Sequence, residues 1–214
     1  MSLPTSTDKS STRYEPSWPR ADPDDNVVGE EFGGSAGQSE RCWYLDPIDG
    51  TTSFIDGTQR WSTLIALTVD GAVVVGVADF PAQDRRYWAA KGQGAFLNGQ
   101  RLAVSAATSL AQATVCDDYR HHIEQGTPDH PLVRLAGRCR SVRPHSDHSM
   151  LIVARGLADA ALGFDGGPWD YAPFVLIVAE AGGRTTDREG RFRFDTGSLL
   201  ATNGHLHDEA LAVL

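Results

Sequence analysis

The heptapeptide Asp46-Pro47-Ile48-Asp49-Gly50-Thr51-Thr52 sets two carboxylates three residues apart, directly before a glycine and two hydroxyls. Hard divalent cations such as Mg²⁺ take oxygen ligands, commonly one or two carboxylates completed by substrate phosphate, water or a backbone carbonyl. Asp46, Asp49 and the carbonyl of Ile48 are therefore candidate ligands. Beyond Gly50 the amides of Thr51 and Thr52 open the next segment, and amides at a helix start form an anion site. Asp-Gly-Thr by itself is an ordinary turn with Thr51 as a helix cap. The seven residues together are far more specific than that tripeptide.

Such side chains need elements to hold them. Residues 41–45 are aromatic and apolar enough for a buried strand, with Asp46 placed where that strand leaves its sheet and Pro47 stiffening the exit. A second acidic element, Gly29-Glu30-Glu31-Phe32-Gly33-Gly34, follows the short strand-like run 26–28. A third, Gly166-Gly167-Pro168-Trp169-Asp170, precedes an apolar stretch ending at Gly182-Gly183. Pro168 is placed to begin a helix, Asp170 falls in its first turn, and the glycine pair stops it. An Asp there also complements the helix dipole with no ligand role at all. Three acidic elements at the ends of expected segments favour convergence on a cation.

These elements, with Glu180-Ala181-Gly182-Gly183 and in this order, resemble the signature motifs of the inositol monophosphatase family, over the span from about Val27 to Leu214. The resemblance implies an α/β (α+β) fold, a layered αβαβ(α) sugar-phosphatase-like sandwich with mixed, largely antiparallel sheets. It also implies a Mg²⁺-dependent phosphomonoesterase that uses two or three ions and forms a homodimer. On the matching positions, Glu30 and Asp46 with the carbonyl of Ile48 hold one ion, and Asp46, Asp49 and Asp170 hold a second. Thr51 orients the attacking water together with Glu30 or Glu31, Asp49 belongs to the catalytic set, and amides of Gly50, Thr51 and Thr52 hold the phosphate.

Residues 30–37, 61–67, Arg86-Tyr87-Trp88-Ala89-Ala90, Gly92-Gln93-Gly94-Ala95-Phe96 and 201–209 are similar to the histidinol-phosphate phosphatase branch of that family. Histidinol phosphate is accordingly the leading substrate expectation, ahead of myo-inositol monophosphates and of nucleotide or fructose-bisphosphate esters. Histidinol carries a cationic amine and an imidazole, so its pocket needs acceptors beyond the metal ligands; Asp147, His148 and Asp165 are candidates. Family members carry two helices before the Gly-Glu-Glu motif, whereas here residues 1–28 precede it. Residues 1–25 are a polar mixture with no helical apolar period, expected to be a disordered tail before a single domain at 26–214. A reading of another class follows: a truncated, catalytically impaired phosphatase-like protein that binds ligands or partners.

Composition sets outer limits. The 214 residues are 41% hydrophobic, enough for one sizeable core. A net charge of −9 argues against a nucleic-acid surface, which needs clustered Lys and Arg. No apolar run approaches a membrane span and residues 1–20 lack the hydrophobic centre of a secretory signal, so the expected residence is cytoplasmic. Cys42, Cys116 and Cys139 lack Cys-x-x-Cys spacing. The pairs His121-His122, His145 with His148, and His205 with His207 lack zinc-hydrolase spacing and read as surface histidines. Trp43, Trp61, Trp88 and Trp169 read as core packing.

Two hairpins are expected from turn chemistry: Ser62–Val69 and Ala72–Phe80 around Asp70-Gly71, and another at Asn98-Gly99. Gly92-Gln93-Gly94 reads as a strand bend. Helices are expected at 105–113, 131–137, 149–156 and 169–181, with extended segments at Thr114–Asp117 and 158–164.

Overall fold

The computed structural model describes residues 25–31, 33–34, 40–117, 129–144 and 148–214. Seven strands run in spatial and sequence order: β1 (Asn26–Gly29), β2 (Arg41–Asp49), β3 (Ser62–Val69), β4 (Ala72–Phe80), β5 (Arg85–Ala90), β6 (Gly94–Leu97) and β7 (Gln100–Arg101). β1 lies parallel to β2 and every other neighbour is antiparallel. The expected hairpins form, with Asp70-Gly71 and Asn98-Gly99 all at positive φ. That is the conformation that matches a two-residue turn to the strand twist.

A second sheet has the order β11 (Arg184–Thr186), β12 (Ser198–Thr202), β10 (Ala160–Phe164), β8 (Thr114–Asp117), β9 (Ser141–Pro144). β8 pairs in parallel with both β10 and β9, and β12 is antiparallel to both β10 and β11. The helices are α1 (Thr51–Ile55), α2 (Pro131–Arg138), α3 (Ser149–Ala154), α4 (Pro168–Glu180) and α5 (His207–Leu211).

Alternation along the strands explains the layering. In the second sheet Cys116, Ala161, Leu199 and Ala201 pack into the core between the sheets, while Val115, Ala160, Leu162 and Leu200 face the other side. Leu132 and Leu135 of α2 and Ala210 of α5 cover that other side. α4 fills the space between the sheets and is buried through Tyr171, Ala172, Pro173, Phe174, Leu176, Ile177 and Val178. A helix apolar all round belongs between two apolar faces. Each large side chain buried here contributes about 1.5–3 kcal/mol. Gly76 of β4 lets the helix close in, because a Cβ there would meet the Pro173 carbonyl at 2.6 Å. This is the mixed, largely antiparallel layered sandwich that the resemblance implied.

The two faces of the seven-stranded sheet differ. Cys42, Tyr44, Leu64, Ala66, Ala78, Tyr87 and Ala89 are buried on the face that meets α4. On the outer face, the register aligns Val27, Trp43, Leu67 and Val75 in one cross-strand row. Leu45, Ile65, Val77, Trp88 and Phe96 form the next row. These are half-buried, and Trp88, stacked on Phe96 at 4.5 Å, is 36% exposed. The outer-face placement of Trp43 and Trp88 corrects the expectation of core packing for them.

Three further expectations change. Residues 105–113 form no α-helix, only a 3₁₀ turn at Leu110–Gln112. The Ser105 hydroxyl donates to Asp159, and the Ala107 carbonyl accepts from Asn203 Nδ2 at 2.8 Å, so tertiary partners take groups that a helix would use. β2 does not end at Leu45 but runs to Asp49, with a register shift between Asp46 and Asp49. His207 is not a surface histidine but fully buried, between the hydroxyls of Thr186 (3.0 Å from Nε2) and Thr202 (2.9 Å from Nδ1). Thr186 spends its proton on the Asp187 carbonyl at 2.7 Å, so it accepts from Nε2–H and Thr202 donates to Nδ1. Burial holds His207 neutral, its pKa lowered to about 4. His121, His122 and His145 lie outside the described residues.

Candidate metal centre

Asp46 continues the inward alternation of Cys42 and Tyr44 on β2, and so points to the face where α4 begins. The local irregularity then re-aims the chain: from Asp46 opposite Leu64 to Asp49 opposite Ser62, β2 carries one residue more than β3. Pro47 suits such a bulge, since it has no amide proton to offer the ladder. The result brings Asp49 back toward Asp46. α4 supplies Asp170 from its first turn, and one oxygen from each of Asp46, Asp49 and Asp170 lies within 4.8 Å of the others.

Each carboxylate is oriented by a bond that leaves an oxygen for the cluster. Asp46 Oδ1 accepts from the Ile48 amide at 3.0 Å. Asp49 Oδ2 accepts from the buried Ser62 hydroxyl at 2.8 Å. Asp170 Oδ2 accepts from the Gly167 amide at 2.6 Å, capping its own helix. The two readings of Asp170, cap and ligand, are thus compatible. Ser62 was not among the expected site residues; its signal was its place at the start of β3, opposite the β2 irregularity.

Glu30 follows β1, whose parallel pairing with β2 ends at Gly29 beside Leu45. Gly29 and Gly33 exchange backbone hydrogen bonds of 3.2 and 2.9 Å, which close the loop carrying Glu30 and Glu31. Both glutamates are exposed, and Glu30 stands outside the compact triad. Its carboxyl nonetheless feels the site: desolvation raises its pKa, helped by the charges of Asp170, Glu31 and Asp49. Asp46, only 2% exposed, is raised furthest, to about 8, by burial and then by Asp49, Glu30 and Asp170. Burial also raises Asp170, against the lowering effect of its bond from Gly167. An all-oxygen donor set whose members raise one another's pKa fits a hard cation, which would relieve that repulsion.

Immediately after Asp49, Gly50 adopts φ 80° and ψ 41° and introduces α1. A Cβ there would meet the Arg60 carbonyl at 2.7 Å, so glycine is required on both counts. The first-turn amides of a helix have no carbonyl four residues back, and those of Thr51 and Thr52 open beside the acidic triad. Thr51 Oγ1 donates to the Ile48 carbonyl at 3.1 Å, which leaves its lone pairs to accept. His148, at the start of α3, lies 4.1 Å from the Phe174 ring, and its positive form would lower the pKa of Asp170. Asp165 is exposed on the loop before α4, at φ 60°. Asp147 lies outside the described residues.

The sequence model of the inositol monophosphatase family matches residues 3–214. The chain is 40% identical over 198 residues to a histidinol-phosphatase of Mycobacterium tuberculosis, covering 90% of this chain and 76% of that one. It is 37% identical over 194 residues to a histidinol-phosphatase of Chlorobaculum parvum, covering 90% and 75%. The structure of an inositol monophosphatase from Anabaena superposes with a TM-score of 0.76 at 29% identity, covering 89% of this chain and 78% of that one. Among the described residues no helix is long and apolar enough to cross a membrane. With an oxygen-lined acidic centre set between a strand end and a helix start, the chain belongs to the inositol monophosphatase family of metal-dependent phosphatases.

Proposed function

We propose that the protein hydrolyses histidinol phosphate in a Mg²⁺-dependent reaction, as a homodimer. The observation that carries the metal-dependent part is the approach of Asp46, Asp49 and Asp170 to within 4.8 Å beside the helix start at Thr51. The substrate rests on the histidinol-phosphatase relatives at 40% and 37% identity. In this reading Glu30, Asp46, Asp49, Asp170 and the Ile48 carbonyl hold two or three Mg²⁺ ions. Bound Mg²⁺ supplies Lewis acidity, lowering the pKa of a water and offsetting charge on the leaving oxygen.

The chain's own groups do the rest. The amides of Gly50, Thr51 and Thr52 bind phosphate oxygens at the positive end of α1. The Thr51 hydroxyl, its proton engaged by the Ile48 carbonyl, accepts from the attacking water and so aims an oxygen lone pair at phosphorus. Glu30, with its raised pKa, takes the proton that this water releases, and Glu31 beside it adds negative potential. Ser62 and Gly167 fix the carboxylates of Asp49 and Asp170 before substrate arrives. His148 and Asp165 are assigned to the cationic amine and imidazole of the substrate.

The test is phosphate release from a panel containing histidinol phosphate, inositol 1-phosphate and fructose 1,6-bisphosphate, with Mg²⁺ and with EDTA. The expected result is Mg²⁺-dependent turnover with the highest kcat/KM for histidinol phosphate. A preference for inositol 1-phosphate would overturn the substrate assignment, and metal binding without turnover of any ester would favour the impaired, ligand-binding reading.

A further inference from the structure

Asp25 is a buried carboxylate that the catalytic reading leaves unused. It directly precedes β1 and is 7% exposed. A carboxylate out of water is costly unless charged or hydrogen-bonding partners meet it, and β2 supplies both. Asp25 Oδ1 lies 3.0 Å from Arg41 Nε, while Oδ2 accepts from Arg41 Nη2 at 3.1 Å and from the Trp43 indole Nε1 at 2.8 Å. The guanidinium thus grips the carboxylate through two parallel bonds, a geometry that adds direction to charge. Arg41 and Trp43 are successive outward residues of β2, so one side chain at the start of β1 is tied to two on the neighbouring strand.

The strand that Asp25 introduces needs such a fixture. β1 is four residues long, lies at the edge of its sheet and pairs with β2 alone. A parallel pair has no tight turn to set its register. Val28 is the one β1 side chain in the hydrophobic core, so alternation specifies that register weakly. The observed register sets Asn26 beside Cys42 and Gly29 beside Leu45. Extended by one residue each way, it sets Asp25 beside Arg41 and Glu30 beside Asp46. Glu30 falls two residues beyond Val28, on the inward side to which Asp46 also points. About 16 Å of strand separates Asp25 from Glu30, and both strands rise equally over that length, so a grip at one end of β1 sets position at the other. We infer that Asp25 is a positioning residue of the metal centre: by holding Arg41 and Trp43 it fixes β1 against β2 and so keeps Glu30 abreast of Asp46. This rests on the reading of Glu30 as a metal ligand given above.

The test is Mn²⁺ titration of the full chain, read by electron paramagnetic resonance, for Asp25→Ala in the wild-type and Glu30→Gln backgrounds. Mn²⁺ stands in for Mg²⁺, and the quantity compared is the dissociation constant of the ion that Glu30→Gln weakens. Asp25→Ala alone should raise it by about 10- to 100-fold, the range for a group that orients a ligand. Once Glu30 is replaced, the same change should shift it by less than about 2-fold, because a residue that acts through another adds nothing in its absence. Phosphate release should lose kcat with KM for the ester nearly constant, since the amides of α1 are untouched. Asp25→Asn keeps an acceptor for the Trp43 indole but drops the charge that Arg41 grips, and it carries the same comparison should the alanine variant not fold. Equal losses in the two backgrounds, or unchanged affinity in the folded Asp25 variants, would make Asp25 a purely structural tie and overturn the inference while leaving Glu30 a ligand. Mn²⁺ binding unaffected by Glu30→Gln itself would overturn the ligand reading and the inference with it.

Discussion

Replacing Asp46 by Asn should make the metal-free protein more stable while abolishing its phosphatase activity. Two carboxylates within 4.8 Å of each other repel by about 3 kcal/mol or more at an effective dielectric constant near 20. Asp46 faces two such neighbours and is 2% exposed. Its pKa is accordingly raised from 3.8 to about 8, so at neutral pH the folded protein holds it protonated. The unfolded chain would have it ionised. Over the roughly three pH units between 3.8 and 7, that difference opposes folding by up to about 4 kcal/mol. Asn keeps the shape and the acceptor for the Ile48 amide without the charge. A gain of about 2–4 kcal/mol corresponds to roughly 4–16 °C in Tm for a chain of this size. The assay is thermal unfolding in EDTA at pH 7, repeated with Mg²⁺. Because the folded-state pKa is raised, the stability that Asp46 permits is fully present below about pH 3.8 and is lost as pH rises through about 8. The advantage of Asn over Asp should therefore grow across that window and vanish at its acid end. Mg²⁺ should raise the Tm of the wild type and not that of the variant. A variant that melts lower than the wild type in EDTA, or that Mg²⁺ stabilises equally, would refute the charge-strain argument.

Other expected outcomes follow from single contacts. Ser62→Ala should leave the fold in place while raising the Mg²⁺ concentration needed for half-maximal activity by about 10- to 100-fold, because Asp49 loses its orienting bond; a Mg²⁺ titration of phosphate release checks this. Gly50→Ala should lower stability by about 1–3 kcal/mol and raise KM for phosphoesters, since the positive φ and the Arg60 carbonyl both resist a Cβ; denaturant melts and steady-state kinetics read the two effects separately. His207, with its pKa lowered to about 4, contributes stability present above pH 6.5 and lost as pH falls toward 4, on the order of 3 kcal/mol. His207→Gln should flatten that part of the pH–stability profile, measured by urea unfolding.

Much of the centre was legible because it is local. The heptapeptide beginning at Asp46 carries two of the three clustered carboxylates and the glycine that turns the chain into α1, and Pro168 with Asp170 marks a helix start in sequence alone. What escaped depends on partners distant in the chain. Ser62 is an unremarked hydroxyl until the β2 irregularity sets it opposite Asp49. Residues 105–113 have helical composition, yet Asp159 and Asn203 take the hydrogen-bonding groups of Ser105 and Ala107. His207 looked like a surface residue because its burial depends on Thr186, 21 residues upstream, which with Thr202 encloses the ring. Glu180, legible only as part of a motif, accepts the amides of Gly92 and Gly94, both at 2.7 Å, and so ties the end of α4 to the turn between β5 and β6. The strands themselves were read well where two-residue turns flank alternating apolar residues. The end of β2 was not, since Pro47 and the two aspartates look like a loop until the bulge accommodates them.

The most direct measurement is an anomalous-scattering map from a crystal grown with Mn²⁺ in place of Mg²⁺. The account predicts a peak bridging carboxylate oxygens of Asp46, Asp49 and Asp170, with Glu30 drawn in beside it. Ordered side chains with no peak at that triad, or a peak held by other residues, would contradict it.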